Sequence, residues 1–272
     1  MEKLLIHSEN YRGDLLKSQI EWKFKGKHVL VTGSSRSIGR AIAKGFATAG
    51  ARVAVHYQKN RTAAEATLAE LPGKGHALFQ ADLNVLPEVG RLAASVEKTF
   101  GHLDILVNNA GIYGYHPLEK VDYPTWEKEW DRFLSINLLA PVHMTYLIAR
   151  RMISRKQGKI INISSRGAFR GEPRSPAYGA SKAALNSFTQ SMAVALGPYN
   201  IHVYGVAPGF VETDMTVDML KGEEGAAIRR QSPLNRAARP QEVASVVLFL
   251  ASGESDYMTG AVLDINGASY LR

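Results

Sequence analysis

His28-Val29-Leu30-Val31-Thr32-Gly33-Ser34-Ser35-Arg36-Ser37-Ile38-Gly39 is the stretch that decides the fold. An apolar run of β type enters a tight turn of small residues, and a helical pattern follows at once over Ile38–Ala49. Such a turn at a helix N-terminus gathers backbone N–H groups at the positive end of the helix dipole, which suits a pyrophosphate. Glycines in a turn are weak evidence, because an ordinary strand-to-helix connection uses them as well. Their placement between the first strand and the helix after it is what gives the motif weight.

Working outward, the chain alternates. Apolar runs at His28–Thr32, Arg52–His56, Ala77–Gln80, Ile105–Val107, Lys159–Ser164, His202–Val206 and Val262–Ile265 are separated by helical patterns, among them Ala63–Leu71, Glu88–Thr99, Trp126–Arg151, Ala180–Leu196 and Gln241–Ala251. Strands this apolar are buried on both faces, and the helices between them make the crossovers of parallel pairs. Crossovers of one hand then give an α/β fold, a single doubly wound Rossmann-type parallel sheet of about seven strands with helices on both faces. No linker, repeat or low-complexity stretch interrupts residues 26–272, which read as one domain. Residues 1–25 form a polar N-terminal extension in which Leu15, Leu16 and Ile20 could line a short helix, either an arm onto a neighbouring subunit or a plain tail.

The 272 residues include no cysteine, which excludes a disulfide scaffold, a thiolate nucleophile and a cysteine-based metal site, and no metal is expected. The net charge is +8, but the basic residues are scattered and form no stripe with interleaved aromatics, so no nucleic-acid partner is expected. The longest apolar run, Val246–Ala251, is far too short to cross a bilayer, and charged residues interrupt the first segment before a signal-peptide core develops. No membrane partner and a cytoplasmic location are expected.

Thr32-Gly33-x-x-x-Ser37-x-Gly39 resembles the Thr-Gly-x-x-x-Gly-x-Gly cofactor signature of classical short-chain dehydrogenases/reductases, with Ser37 where glycine or alanine is usual. The resemblance implies that Gly33, Ser34, Ser35, Arg36, Ser37, Ile38 and Gly39 cradle a nicotinamide dinucleotide; serine is small enough for the turn to survive. Asp82-Leu83 resembles the adenine-contacting pair, and Asn108-Asn109-Ala110-Gly111 resembles the family's Asn-Asn-Ala-Gly motif, with Asn109, Ala110 and Gly111 along the cofactor. An acid at the end of the second strand would accept from a ribose 2′-hydroxyl. Here Tyr57 holds that position, followed by Gln58, Lys59, Asn60 and Arg61, so no carboxylate repels a 2′-phosphate. Arg36 is placed to pair with one bidentately, and the expected cofactor is NADP(H) in preference to NAD(H).

Tyr178 and Lys182 stand four residues apart in a helical pattern, which puts them on one face. A free tyrosine titrates near 10, and bringing it toward 7 needs roughly 4 kcal/mol. An ammonium about 4 Å away supplies on the order of 1 kcal/mol in water and about 4 kcal/mol at an effective dielectric near 20, so lysine suffices only in a partly dry cleft. Tyr-x-x-x-Lys alone is common by chance. Its companions are Ser165, thirteen residues upstream as in the family (Ser164 is off by one), and Asn137 within Ile136-Asn137-Leu138. The resemblance implies that Tyr178 is the proton donor for carbonyl reduction and that Ser165 orients the carbonyl. It makes Lys182 the group that lowers the tyrosine pKa and binds the nicotinamide ribose, and Asn137 the holder of a water. Pro208, Gly209, Val211 and Thr213 resemble the segment that closes over the nicotinamide, and Asp214–Ser232 suits a mobile lid or a plain surface loop.

Over residues 26–272 the chain most resembles 3-oxoacyl-acyl-carrier-protein reductases, through Ala207–Thr216, Arg239–Val243, Phe249–Ser252 and Tyr257–Gly260. The implied activity is NADPH-dependent reduction of a carbonyl, a small-molecule or carrier-linked 3-oxoacyl thioester, by a homotetramer. A sugar, polyol or small-ketone dehydrogenase is the alternative, and a non-catalytic nucleotide sensor is the alternative of another class. Three departures stand out: an aromatic-rich stretch between Gly111 and Asn137, Asn266-Gly267-Ala268 where a second glycine is usual, and the N-terminal extension. Arg151, Arg155 and Lys156 share part of a helix face, a carrier-docking patch or a solvated helix end.

Overall fold

The computed structural model describes residues 22–272; Leu15, Leu16 and Ile20 lie outside them. Seven strands, β1 (His28–Val31), β2 (Arg52–Tyr57), β3 (Ala77–Gln80), β4 (Ile105–Asn108), β5 (Gly158–Ile163), β6 (Ile201–Pro208) and β7 (Val262–Ile265), form one sheet. Its order is β3-β2-β1-β4-β5-β6-β7 and every neighbouring pair is parallel. Among the described residues eight α-helices accompany them: α1 (Ser37–Thr48), α2 (Arg61–Ala69), α3 (Leu86–Phe100), α4 (Tyr123–Leu134), α5 (Ala140–Arg155), α6 (Pro176–Leu196), α7 (Gly222–Arg230) and α8 (Pro240–Ala251).

Side chains alternate across a strand, so each strand feeds two cores. Val29 and Val31 of β1 pack with Ile42 and Phe46 of α1 and Val243 and Val247 of α8. Leu30, between them, packs on the other face with Val89 and Leu92 of α3 and Met144 and Ile148 of α5. This double burial is why the strand runs are apolar without alternation. Phe24 is also buried, edge-on to Phe46 at 4.9 Å between ring centroids.

The pattern read as one helix over Trp126–Arg151 is α4 and α5 joined by a π-helical turn, Ser135–Leu139. Trp126 and Trp130 pack against each other on α4, with ring centroids 5.9 Å apart. Of the basic group at the end of α5, Arg151 lies 3.5 Å from Glu97 and Arg155 lies 3.8 Å from Asp104. Among the described residues no helix is long and apolar enough to cross a membrane.

Strand order reverses direction between β1 and β4. In such sheets the crevice at the carboxyl ends of the two strands at the switch point is where ligands bind. The turn after β1 and the Asn108–Gly111 segment after β4 meet there.

Candidate active site

The floor of the crevice is a hydrogen-bonded frame. Thr32 Oγ1 accepts from the backbone N–H groups of Asn109 (2.9 Å) and Ala110 (3.0 Å), and Asn109 Nδ2 donates to Thr32 O at 2.8 Å. These bonds lock the turn after β1 to the end of β4. One strand further on, Asn108 Nδ2 donates to Asn162 Oδ1 on β5 at 2.8 Å, and Asn162 Nδ2 donates to Thr189 Oγ1 on α6 at 2.9 Å. The turn is packed so closely that a Cβ on Gly39 would stand 2.3 Å from Gly33 O, and Gly33 itself has φ +65°. Only glycine fits at both positions.

The structure separates the predicted turn residues into two groups. Gly33, Ser35, Arg36, Ser37, Ile38 and Gly39 line a cleft of about 270 Å³ together with Tyr57, Asp82, Leu83, Asn109, Ala110 and Gly111. Ser34 does not. It is fully buried, with Oγ donating to Val31 O at 2.7 Å and accepting from His56 N at 3.0 Å, so it supports the turn from beneath. Ser37 corrects the size argument: it has φ +52°, in the left-handed region that side chains disfavour. The glycine usual at this position answers a backbone conformation, and serine adopts it under strain. Ser37 Oγ also accepts from Asp214 N at 3.3 Å, and Arg36 Nε lies 3.8 Å from Asp214 Oδ2, both side chains exposed.

His56, which the sequence reading passed over, completes the turn. Its Nδ1 accepts from Gly33 N at 2.9 Å, which leaves Nε2 to donate to Ala81 O at 3.1 Å. Burial pushes its pKa down to about 4, so the ring is neutral near pH 7. The one signal available was a histidine inside the apolar run Val53-Ala54-Val55-His56.

The cleft continues into a smaller cavity of about 130 Å³ lined by Ser165, Tyr178, Lys182, Pro208, Gly209, Val211 and Thr213, so these predicted residues converge. A side-chain hydrogen bond joins Ser165 and Tyr178. Ser164 turns instead to the backbone, donating to Lys182 O at 3.3 Å. Lys182 is buried, donates to Ile163 O at 2.8 Å, and holds its Nζ 5.9 Å from the centre of the Tyr178 ring. Burial lowers its pKa to about 8. Tyr178 departs from expectation: burial pushes it up to about 12, outweighing the Ser165 hydrogen bond. At neutral pH the protein alone therefore holds Tyr178 as a phenol and Lys182 chiefly as an ammonium.

Asn137 lies on the π-turn, fully buried. Its Oδ1 accepts from Ile112 N at 2.9 Å and its Nδ2 donates to Ile112 O at 3.1 Å, clamping the backbone just past Gly111. Gly111 leaves room for this approach, since a Cβ there would lie 3.2 Å from Asn137 Oδ1 and 3.4 Å from Lys182 Nζ.

Beyond Tyr178 a third cavity of about 300 Å³ is lined by Tyr113, Tyr115, Arg166, Arg170, Glu172, Arg174, Phe210, Gln231 and others. Tyr113 stands edge-on to Tyr178, ring centroids 4.8 Å apart, so part of the aromatic stretch after Gly111 does border the site. His116 anchors that stretch to α6, its Nε2 accepting from Ala177 N at 3.2 Å. The segment Asp214–Ser232 contains α7 and contributes Met215, Thr216 and Met219 to the wall of this cavity.

Away from the crevice, His28, His102 and Asp104 bring three ligand-type atoms within 4.8 Å of one another. Lys27 and Arg155 each lie 3.8 Å from the same Asp104, so cationic side chains already surround that group.

A family model described as "Enoyl-(Acyl carrier protein) reductase" matches residues 33–268. The chain belongs to the short-chain dehydrogenase/reductase family. Among its curated relatives, a 3-oxoacyl-[acyl-carrier-protein] reductase FabG of Aquifex aeolicus is 39% identical over 254 residues, covering 92% of this chain and 100% of the relative. A 5-keto-D-gluconate 5-reductase of Escherichia coli K12 is 35% identical over 247 residues, covering 89% and 94%. Among solved structures, a putative gluconate dehydrogenase from Agrobacterium tumefaciens superposes with a TM-score of 0.85 at 31% identity, covering 92% of this chain and 98% of the other. As a short-chain dehydrogenase/reductase the chain is an NAD(P)-dependent oxidoreductase acting on CH–OH and keto groups.

Proposed function

We propose that this short-chain dehydrogenase/reductase is an NADP(H)-dependent enzyme that reduces a compact, polar ketone to a secondary alcohol, with Ser165, Tyr178, Lys182 and Asn137 as its catalytic group. The observation that carries the reading is the convergence of Ser165, Tyr178 and Lys182 on one cavity between the phosphate turn and the charged pocket. The crevice suits a dinucleotide. The first amides of α1 have no carbonyl partners within the helix, and glycines at 33 and 39 keep the backbone open to close approach. Ser35, Arg36, Ser37 and Ile38 would hold the pyrophosphate, and Asp82 and Leu83 the adenine. Asn109–Gly111, Lys182, Pro208, Gly209, Val211 and Thr213 would hold the nicotinamide half. Tyr57 and Gln58 line the cleft beside Arg36 with no carboxylate at the end of β2, which favours a 2′-phosphate. Bound there, the nicotinamide would supply the hydride.

The chain's own residues handle the proton. Tyr178, kept as a phenol, is the competent acid: its O–H donates to a carbonyl oxygen that Ser165 also hydrogen-bonds. Loss of that proton leaves a phenolate, which the nearby Lys182 ammonium stabilises in a dry cleft. Lys182 uses one N–H on Ile163 O and has two more for a ribose hydroxyl. Asn137 fixes the backbone beside Lys182.

The charged lining beyond Tyr178 favours a sugar, polyol or related ketone. The identity of relatives named 3-oxoacyl-[acyl-carrier-protein] reductase supports a second reading, a 3-oxoacyl thioester. The proposed assembly is a homotetramer. The test is titration with NADPH and NADH, followed by turnover of acetoacetyl-coenzyme A and of keto sugars by the wild type and by Tyr178→Phe. The expected result is tighter NADPH binding, unchanged in the variant, with turnover lowered at least ~100-fold. Equal turnover by both proteins would sink the mechanism, and a preference for the thioester would select the second reading.

A further inference from the structure

The cavity beyond Tyr178 holds three guanidinium groups, Arg166, Arg170 and Arg174, against two carboxylates, Glu172 and Glu224. Two of the arginines are matched. Arg174 Nη1 lies 3.0 Å from Glu224 Oε1, and Arg170 Nε lies 3.9 Å from Glu172 Oε1. Arg166 has no carboxylate at ion-pair distance among the described residues, although it is only 4% exposed. Its guanidinium donates to two neutral oxygens, Ser269 Oγ and Gln231 Oε1, each at 2.5 Å, and sits 5.0 Å over the ring of Phe210. Arg170 Nη1 reaches the same Gln231 Oε1 at 3.3 Å. Two cations thus converge on one uncharged amide oxygen.

A buried charge without a counterion is unfavourable, and it is tolerated where a ligand completes the pairing. Burial and the neighbouring Arg170 hold Arg166 down to about 10, which leaves it protonated at neutral pH. Of its five N–H donors two are used, one on each terminal nitrogen, which leaves Nε–H and one further N–H on each terminal nitrogen as donors for a carboxylate. Charge selects among anions, because the lining leaves one positive charge uncompensated. A carboxylate balances it, whereas a phosphate dianion would overshoot. Arg166 directly follows Ser165 and lines the same cavity as Ser165 and Tyr178, so an anion held by it would belong to a short molecule whose carbonyl lies at those two residues.

We propose that the substrate carries a carboxylate bound by Arg166, so that the enzyme interconverts short hydroxy acids and their keto acids; this rests on the ketone-reduction reading above. Half-buried Glu172 and the hydroxyls of Tyr113 and Tyr115 supply partners for further hydroxyl groups along such a chain.

The test uses the purified full chain with NADP⁺ and pairs each acid with its neutral alcohol of equal length, glycerate with glycerol and gluconate with glucitol. Wild type, Arg166→Lys, Arg166→Gln and Gln231→Glu are compared by kcat/KM and by the shift in Tm on adding each compound. The expected result is a wild-type preference of ~100-fold for at least one acid, since a charge-assisted bidentate contact is worth that much. Arg166→Gln should abolish the preference through KM and through loss of the acid-induced Tm shift, and Arg166→Lys should keep part of it. Gln231→Glu inserts a carboxylate between the two arginines, so it should raise the ligand-free Tm while also removing the preference; it keeps the test sound if Arg166→Gln folds poorly. Turnover of the neutral alcohols as fast as of the acids overturns the carboxylate and leaves the reductase standing. A Tm shift by an acid that vanishes in Arg166→Gln, without turnover of any compound, upholds the anion site and overturns the reductase. Neither turnover nor a shift overturns both.

Discussion

Ser37 at φ +52° and Ala268 at φ +56° occupy left-handed backbone, and both stand where the family resemblance leads one to expect glycine. An L-residue in that region costs roughly 1–2 kcal/mol, while glycine gives back about 0.5–1 kcal/mol through the greater freedom of its unfolded chain. Ser37→Gly should therefore stabilise the protein by up to about 1 kcal/mol, a rise in Tm of about 2–3 °C. Ser37→Ala keeps the strain and loses the hydroxyl that accepts from Asp214 N, so its Tm should fall. Equal Tm values in the two variants would show that the strain is absent. His56 makes a second prediction at this scale. Its folded pKa of about 4 lies below the unfolded value near 6.5, so its contribution is complete above pH 6.5 and is lost as pH falls toward 4. The loss is on the order of 3 kcal/mol. The cause is specific, because protonation turns Nδ1 into a donor facing the Gly33 N–H donor. His56→Asn keeps an acceptor near the Nδ1 position and does not titrate there. Urea denaturation at pH 7.5 and 4.5 should show a smaller pH dependence for the variant, and parallel curves would rule out the His56 origin.

The element most tied to the chemistry is the π-helical turn Ser135–Leu139, since a wider turn moves Asn137 inward, where it clamps both polar groups of Ile112. Asn137→Ala leaves the backbone N–H and C=O of Ile112 without this partner. It should cost about 2 kcal/mol of stability and lower kcat at least ~10-fold, measured by denaturation and steady-state kinetics. Unchanged kcat would make Asn137 a purely structural residue. No residue type signals such a turn, which is why the apolar pattern from Trp126 to Arg151 reads as one unbroken helix. The strands were legible for a physical reason. Helices cover both faces, so the runs are apolar throughout, and β1 and β4 can be placed to within a residue. The phosphate turn was legible as a motif but not in its details. Ser34 and Ser35 are identical in sequence, yet the backbone path sends Ser34 beneath the turn and Ser35 to the cleft. Arg166 was missed because its meaning lies in the carboxylate it lacks, and the neutral oxygens that hold it instead come from distant parts of the chain, Gln231 in Asp214–Ser232 and Ser269 near the C-terminus.

At the scale of the whole molecule, the long helices on one face of the sheet leave apolar side chains in solvent. Val194 on α6 is 81% exposed and Tyr146 on α5 is 58% exposed, while Tyr257 and Leu271 are exposed near the C-terminus. Scattered apolar residues are ordinary on a monomer, but α5 and α6 carry them on helices whose other faces already fill the core. The proposed homotetramer would bury them. In a symmetric interface each residue is used twice, so burying Val194 would contribute about 3–6 kcal/mol per pair of subunits. Replacing it with glutamate would instead place two carboxylates in that interface. Light scattering after gel filtration should give four times the 29.8 kDa chain mass for the wild type and a smaller species for Val194→Glu. Arg166 and Tyr178 lie in a crevice bounded by this chain's own loops, so the dissociated variant should retain cofactor affinity even where turnover falls. A monomeric wild type would remove the tetramer while leaving the crevice chemistry untouched. A variant of unchanged mass would move the interface to other faces, away from α6.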